Sequence, residues 1–99
     1  MNITENAVRY IEEQAKSMKD PGIIVFQRSY SGWCGTETVT QAVPYDMEQI
    51  SQKDTFIVKK TDNCKFPVYL ESQVENLWAR AKIDVAGWAS FKRLVLLQD

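Results

Sequence analysis

Apolar side chains at helical spacing define the first predicted element of the chain. They recur every three or four positions at Val8, Ile11, Ala15 and Met18. Thr4 precedes this pattern and suits an N-cap, because its hydroxyl can accept a hydrogen bond from a free N–H of the first turn. Asp20-Pro21-Gly22 ends the pattern. The segment is therefore predicted to be an amphipathic helix that packs on the core.

The next two predicted elements are strands on either side of a short loop. Residues 22–30 are rich in strand-forming side chains, and residues 36–45 alternate between polar and apolar ones. The loop between them is Ser31-Gly32-Trp33-Cys34-Gly35. Glycine on both sides of the tip permits a tight turn and close approach of another group. This pattern predicts a β-hairpin with an aromatic ring and a thiol at its tip.

A second hairpin is predicted after a polar surface connection that ends near Lys53 and contains one helical turn. Residues 55–60 and 65–70 form its arms. Thr61-Asp62-Asn63-Cys64 forms its tight turn, because Asp and Asn tolerate the backbone angles required. Pro67 has no N–H to donate to a strand ladder, which favours an edge position for the second arm.

The last third of the chain is predicted to contain a short helix and two strands. Ser72-Gln73-Val74-Glu75 matches a capping box at the start of the helix. The inner face of this helix would carry Val74, Leu77, Trp78 and Ala81. Strands at residues 83–85 and 91–97 follow, with a break at Gly87. The order of elements predicts one α+β, β-rich domain over residues 1–99, dominated by antiparallel sheet.

Length, charge and hydropathy exclude several classes of protein. The chain has 99 residues, with 12 basic and 13 acidic side chains and a formal charge of −1. Without a block of like charge, binding to nucleic acid through phosphate neutralisation is not expected. No apolar run approaches the roughly 20 residues that span a bilayer, and the first residues lack the layout of a signal peptide. We therefore expect a cytoplasmic protein without a membrane or nucleic-acid partner.

The chemically versatile side chains are few. Histidine is absent, which removes Ser-His-Asp catalysis, Cys-His catalysis and imidazole metal sites. Cys34 and Cys64 lie thirty positions apart, and neither belongs to a C-x-x-C pair. In a reducing compartment they are expected to be thiols rather than a disulfide. The chain is not expected to be an enzyme.

Each cysteine has a structural and a functional interpretation. Cys34 is either a small filler beneath a Trp33 that folds back over the sheet edge, or a ligand or reactive thiol. Cys64 is either half-buried beside Phe66, or activated as a thiolate by the neighbouring lysines. These lysines are Lys59, Lys60 and Lys65.

Taken in order, these elements resemble the HesB-like family, the A-type iron–sulfur carriers. The segments that carry the resemblance are Ile3-Thr4, residues 22–30 and 31–35, residues 54–71, and residues 83–85 with 90–95. They resemble the opening of the family's first helix, its strand leading into an S-G-C-S-G loop, its hairpin with an acidic start, and its closing I/L-D-x segment. The resemblance implies a HesB-like mixed pseudo-barrel of antiparallel strands with an N-terminal helix and a second short helix.

The resemblance also implies iron–sulfur chemistry with an incomplete ligand set. The family's loop cysteine falls on Trp33, so the thiol of Cys34 is displaced by one position, and the closing C-G-C pair is missing. Clusters generally require four sulfur ligands, whereas this chain has two cysteines. We therefore expect a divergent HesB-like protein linked to iron–sulfur cluster biosynthesis or iron binding. Cys34 and Cys64 are the candidate ligands for iron or a [2Fe–2S] cluster.

Two other functions stay open on the sequence alone. One is a thiol-based redox or metal-sensing module that uses Cys34 and Cys64, and the other is a non-catalytic protein-interaction domain. In the iron–sulfur interpretation the partners are assembly or recipient proteins, or a second copy, because two chains together supply four thiols. Since both cysteines are predicted at hairpin tips, they are also expected to lie near each other.

Overall fold

The computed structural model describes residues 1–98. Seven strands form two β-sheets, and one α-helix packs against them. The elements are β1 (Asn2–Ile3), α1 (Glu5–Ala15), β2 (Pro21–Gly32), β3 (Gly35–Asp46), β4 (Ile57–Thr61), β5 (Cys64–Leu70), β6 (Ala81–Ala86) and β7 (Arg93–Gln98). Short 3₁₀ turns lie at Met47–Gln49, Lys53–Thr55, Ser72–Leu77 and Ala89–Phe91. The predicted α+β, β-rich class is confirmed.

The two sheets contain both antiparallel and parallel pairs. The larger sheet has the order β3-β2-β5-β4, in which β2 pairs with β5 in parallel and all other neighbours are antiparallel. The smaller sheet has the order β1-β6-β7, and its short β1, which the hydrophobic pattern did not indicate, lies parallel to β6. Within residues 1–98 the sheets do not join into a closed barrel, and β3 approaches β7 without pairing.

The core lies where α1 and the two sheets meet. Ile23 and Val25 of β2 are fully buried, and their partners Val68 and Leu70 on β5 face the same side. The buried cluster consists of Ile3, Ala7, Ile11, Ile23, Val25, Ala42, Cys64, Val68, Leu70, Val74, Leu77, Ala81, Ile83 and Leu94. Helical and strand periodicities thus direct apolar side chains from every major element to one interior.

Thr4 anchors the beginning of α1 to β6. Its hydroxyl accepts a hydrogen bond from the backbone N–H of Ala7 (3.2 Å) and donates one to the Asp84 carboxylate (2.6 Å). The backbone N–H of Thr4 donates to the carbonyl of Ile83 (2.9 Å). The predicted N-cap is confirmed, and the structure adds a tertiary contact to it. The Thr4 hydroxyl is also the main reason that the pKa of Asp84 is lowered.

The edge position predicted from Pro67 is wrong, because β5 lies between β2 and β4. The proline is tolerated because its neighbours in the sheet are not continuously paired there. The parallel ladder with β2 begins only at Val68, and the register with β4 shifts between Lys59 and Thr61. A missing N–H at Pro67 therefore interrupts no regular ladder.

The capping box predicted at Ser72 is also wrong. The segment Ser72–Leu77 is a 3₁₀ helix whose cap residue is Glu71, and no side chain caps it. The Glu71 carboxylate instead accepts hydrogen bonds from the backbone N–H of Gln27 (2.9 Å) and from the side chain of Gln73 (3.0 Å). Val74 and Leu77 are buried as expected, whereas Ala81 begins β6.

Asp46 organises the polar connection after β3. Its carboxylate accepts hydrogen bonds from the backbone N–H groups of Lys19 (3.1 Å), Asp20 (3.0 Å) and Glu48 (3.1 Å). These bonds, the one from Lys19 above all, lower the pKa of Asp46. Asp20 in turn accepts a hydrogen bond from Lys53 (2.8 Å). The connection contains two 3₁₀ turns, whereas the sequence predicted one helical turn.

Loss of the Thr4 hydroxyl should destabilise the fold. We expect Thr4→Ala to lower the free energy of unfolding by about 1–2 kcal/mol, because it removes both the cap and the bond to Asp84. Ser72→Ala is the matched control, since it removes a hydroxyl at the start of a helix where no side chain caps. It should change the free energy by less than about 0.5 kcal/mol. Urea denaturation measures both, and equal effects would contradict the assigned roles.

Stability should fall in acid through Asp46 and Asp84. A carboxyl group whose pKa is lowered by folding stabilises the native state above its unfolded pKa and loses that contribution as pH falls through the folded pKa. We therefore expect the denaturation midpoint to drop as the pH falls below about 5 and to keep dropping through the lowered pKa values of the two groups, and to drop less in Asp46→Asn and Asp84→Asn. Parallel pH profiles for wild type and both variants would count against this explanation.

Candidate functional site

The distal half of the β2–β3 hairpin projects from the body of the protein as an arm, defined here as residues 28–38. All residues of this arm are exposed. Val25 of β2 is buried and faces the core. The next residues on the same face of this strand, towards the tip, are polar: Gln27, Ser29 and Ser31. The hydroxyls of Ser29 and its partner Thr38 lie 3.4 Å apart. This change from apolar to polar side chains explains why the hairpin leaves the body.

Trp33 and Cys34 form the two-residue turn at the tip of the arm. Gly32 and Gly35 pair directly with each other and close the hairpin. Gly35 has a φ of +112°, a conformation that L side chains rarely adopt. Trp33 is 106% exposed, so the interpretation in which it folds back over the sheet edge is wrong. The tip presents an indole ring and a free thiol to solvent.

The structure decides between the two interpretations of Cys64. It begins β5 and pairs with Thr61, so the turn itself consists of Asp62 and Asn63. It is only 4% exposed, so its placement within the turn is wrong and the interpretation as a packed, structural thiol is favoured over that of an activated thiolate. Burial raises the pKa of its thiol, and the favourable charge of Lys65 does not reverse that effect. Cys64 is a buried thiol.

The two cysteines lie at opposite ends of the larger sheet. Since β2 and β5 are parallel and Ile23 pairs with Val68, positions along the two strands can be compared directly. Cys64 precedes Val68, whereas Cys34 follows the far end of β2. The strands advance about 3.3 Å per residue, so the separation far exceeds the roughly 7 Å between Cα atoms that a disulfide allows. The expectation that both thiols are close within one chain is wrong.

The side chains around the tip do not complete a metal site within one chain. Among residues 1–98, no group of three or more His, Cys, Asp or Glu side chains is placed to hold a metal ion. The nearest acidic residue along the arm is Glu37, which pairs with Tyr30 across the hairpin. One chain therefore offers one accessible thiol at this site.

A groove of about 380 Å³ follows the seam between β3 and β7. Tyr10, Ala42, Leu94 and Leu96 are among the residues that line it, and none of its lining residues is an acid or a cysteine. This groove consequently supplies neither a nucleophilic thiol nor a carboxylate base.

No helix in the described part of the chain is long and apolar enough to cross a membrane.

A second exposed feature, which the sequence patterns did not indicate, is an aromatic loop defined here as residues 87–92. Trp88 is 74% exposed and Phe91 is 71% exposed, and their rings form an edge-to-face pair with centroids 6.2 Å apart. Gly87 has a φ of +90°, and a Cβ there would lie 2.4 Å from the Phe91 carbonyl oxygen. The Tyr10 hydroxyl donates to the Lys92 carbonyl (3.1 Å) and ties the loop to α1. Phe91 was expected in a strand but lies in a 3₁₀ turn.

The arrangement of the two sheets and α1 is the HesB-like fold of the A-type iron–sulfur carriers, and it confirms the resemblance at the level of the fold. No family model matches the chain, and no curated protein matches its sequence. Among solved structures, the chain is similar to Escherichia coli SufA, which is involved in the biosynthesis of iron–sulfur clusters. Their TM-score is 0.58 at 12% sequence identity, over 98% of this chain and 78% of SufA. It is also similar to IscA with a [2Fe–2S] cluster, with a TM-score of 0.54 at 9% identity, over 98% of this chain and 80% of IscA.

The two thiols should differ sharply in reactivity. We expect iodoacetamide to modify Cys34 rapidly in the native protein and Cys64 only after denaturation, because alkylation requires an accessible thiolate. Mass spectrometry of the digested protein measures both sites. Cys64→Ser should leave native labelling unchanged, and Cys34→Ser should abolish it. Rapid native labelling of the Cys34→Ser variant would show that Cys64 is accessible.

Proposed function

We propose that this chain is a cytoplasmic, non-enzymatic HesB-like protein of iron–sulfur cluster biosynthesis that binds iron or a [2Fe–2S] cluster jointly with another protein chain. Cys34 is the ligand it contributes. The observation that carries the proposal is the exposed thiol at the tip of the arm, on a fold shared with SufA and IscA. The iron or cluster is cargo that passes to or from a partner, and no residue of this chain is assigned a catalytic role.

The ligand count supports a shared site. A [2Fe–2S] cluster is generally held by four sulfur ligands, and one arm supplies a single accessible thiol. The remaining ligands must come from a second copy, from an assembly or recipient protein, or from small thiols and carboxylates. Cys64 stays a predicted ligand only for a state in which the β4–β5 hairpin opens, because in the closed fold its sulfur is buried.

Anaerobic reconstitution with iron and sulfide tests the role of Cys34. We expect the wild type to acquire the visible absorption of an iron–sulfur species, and we expect this colour to elute from a sizing column with a species larger than the monomer. Cys34→Ser should lose most or all of this visible absorbance, because the substitution removes the accessible thiolate. Absorbance recorded during size-exclusion chromatography measures both properties.

Cys64→Ser is the matched control, since it removes the other thiol of the chain. It should retain the colour of the wild type. Colour on a monomer peak, or undiminished colour in Cys34→Ser, would contradict the shared site. No colour in any of the three proteins would instead favour the interaction-domain function, which the exposed aromatic rings at both the tip and the aromatic loop support independently.

A further inference from the structure

The two sheets leave an open seam on one side of the core. β3 is an edge strand of the larger sheet and β7 is an edge strand of the smaller one, and the two approach each other without pairing. The groove of about 380 Å³ follows this seam. Its lining includes Ala42 and Leu94, which are buried and belong to the core cluster. The groove therefore opens directly onto the core of the protein.

The groove is long and predominantly apolar. Six consecutive positions of β3, residues 39–44, line one side, and residues 93–96 of β7 line the other. Six residues of a strand extend over about 20 Å. All lining side chains are aliphatic except those of Tyr10, Thr40, Gln41 and Arg93. An elongated apolar groove of this kind suits an unbranched hydrocarbon chain, which can contact aliphatic side chains along its whole length.

Two positive charges lie at one end of the groove. Arg93 lines the groove itself, and Lys92 lines an adjoining crevice of about 600 Å³ between α1 and the aromatic loop. Tyr10 lines both cavities, and its hydroxyl donates to the Lys92 carbonyl, so the two cavities meet at this residue. The acids of β3, Glu37 and Asp46, both lie outside the groove lining.

The positive charges at this junction are uncompensated, whereas the other charges of the crevice are paired. Arg9 pairs with Glu5 at 2.6 Å, and Glu13 pairs with Lys16 at 2.9 Å. The two cations at the end of the groove form no ion pair within the part of the chain described. An anion placed beside them gains favourable electrostatic interactions without displacing an existing ion pair.

We propose that the groove binds an amphipathic carboxylate with an unbranched chain, of the fatty-acid class, with the chain along the seam and the carboxylate beside Lys92 and Arg93. Burial of the chain supplies most of the affinity, and the two cations fix its direction. A peptide strand does not fit between the sheets. Cα atoms of β3 and β7 lie within 8 Å of each other, whereas a strand inserted between two others requires about 9.5 Å between its neighbours.

Isothermal titration calorimetry with hexanoate, octanoate and decanoate tests the groove. Each carboxylate is kept below the concentration at which it forms micelles. We expect saturable binding of a single molecule per chain. The affinity should rise about fourfold for each CH₂ group added, because each group removes further apolar surface from water. Backbone amide chemical shifts should change mainly in residues 39–44 and 93–96, which line the groove.

Charge variants test the assigned direction of the ligand. Lys92→Gln combined with Arg93→Gln should weaken the binding of octanoate roughly tenfold, because it removes both cations beside the carboxylate. The same variant should leave the binding of octanol unchanged, since octanol has the same chain length and no charge. Arg28→Gln, which removes a cation of the arm outside the groove, is the matched control and should bind octanoate like the wild type.

A variant within the groove tests the position of the chain. Val43→Glu places a charge on the lining and should abolish the binding of both octanoate and octanol. Val58→Glu makes the same substitution on β4, at the opposite edge of the larger sheet, and should change neither. Equal affinity for the three chain lengths, undiminished binding in Val43→Glu, or equal effects of the charge variant on octanoate and octanol would overturn the proposal. No binding, or non-saturating uptake of several molecules per chain, would overturn it as well.

Discussion

The hydrogen bond from Thr4 to Asp84 is the interaction that ties the beginning of α1 to the smaller sheet. It joins residues 80 positions apart, and the same hydroxyl caps α1. The bond fixes the beginning of α1 against β6, where Ile3 pairs with Ile83. From the other sheet, the side chain of Asn63 donates to the Ile3 carbonyl (2.6 Å). One short segment at the start of the chain thereby connects the helix and both sheets around a shared core.

The long β2–β3 hairpin serves two purposes because its composition changes along its length. Near Ile23 and Val25 it is buried and parallel to β5, and it supplies the centre of the larger sheet. Beyond Gln27 the same side carries hydroxyl groups, which gain nothing from burial and keep the arm in solvent. The rigid base therefore holds Trp33 and Cys34 away from the body, where another molecule can reach them.

The fold of this chain is that of iron–sulfur carriers, whereas its accessible cysteines are too few to hold a cluster alone. The architecture is shared with SufA and IscA. A single exposed thiol, however, is one ligand out of the four that a cluster generally needs. The exposed thiol and the exposed aromatic rings are the parts of this chain that lie where a second chain can contact them.

Local patterns in the sequence determined α1 with its Thr4 cap, the β2–β3 hairpin with its tip, and the apolar faces that form the core. These features depend on side-chain spacing and on turn residues that lie within a few positions of each other. Tertiary structure alone decided the rest, because it depends on partners distant in sequence. β5 pairs with β2 despite Pro67, Glu71 bonds to Gln27 and leaves Ser72 without a capping role, and Cys64 is buried while Cys34 is exposed. The spacing of residues does not reveal which end of a hairpin is covered by another element. The sequence therefore identified both cysteines as candidate ligands, and only the tertiary packing showed that one is exposed and the other buried.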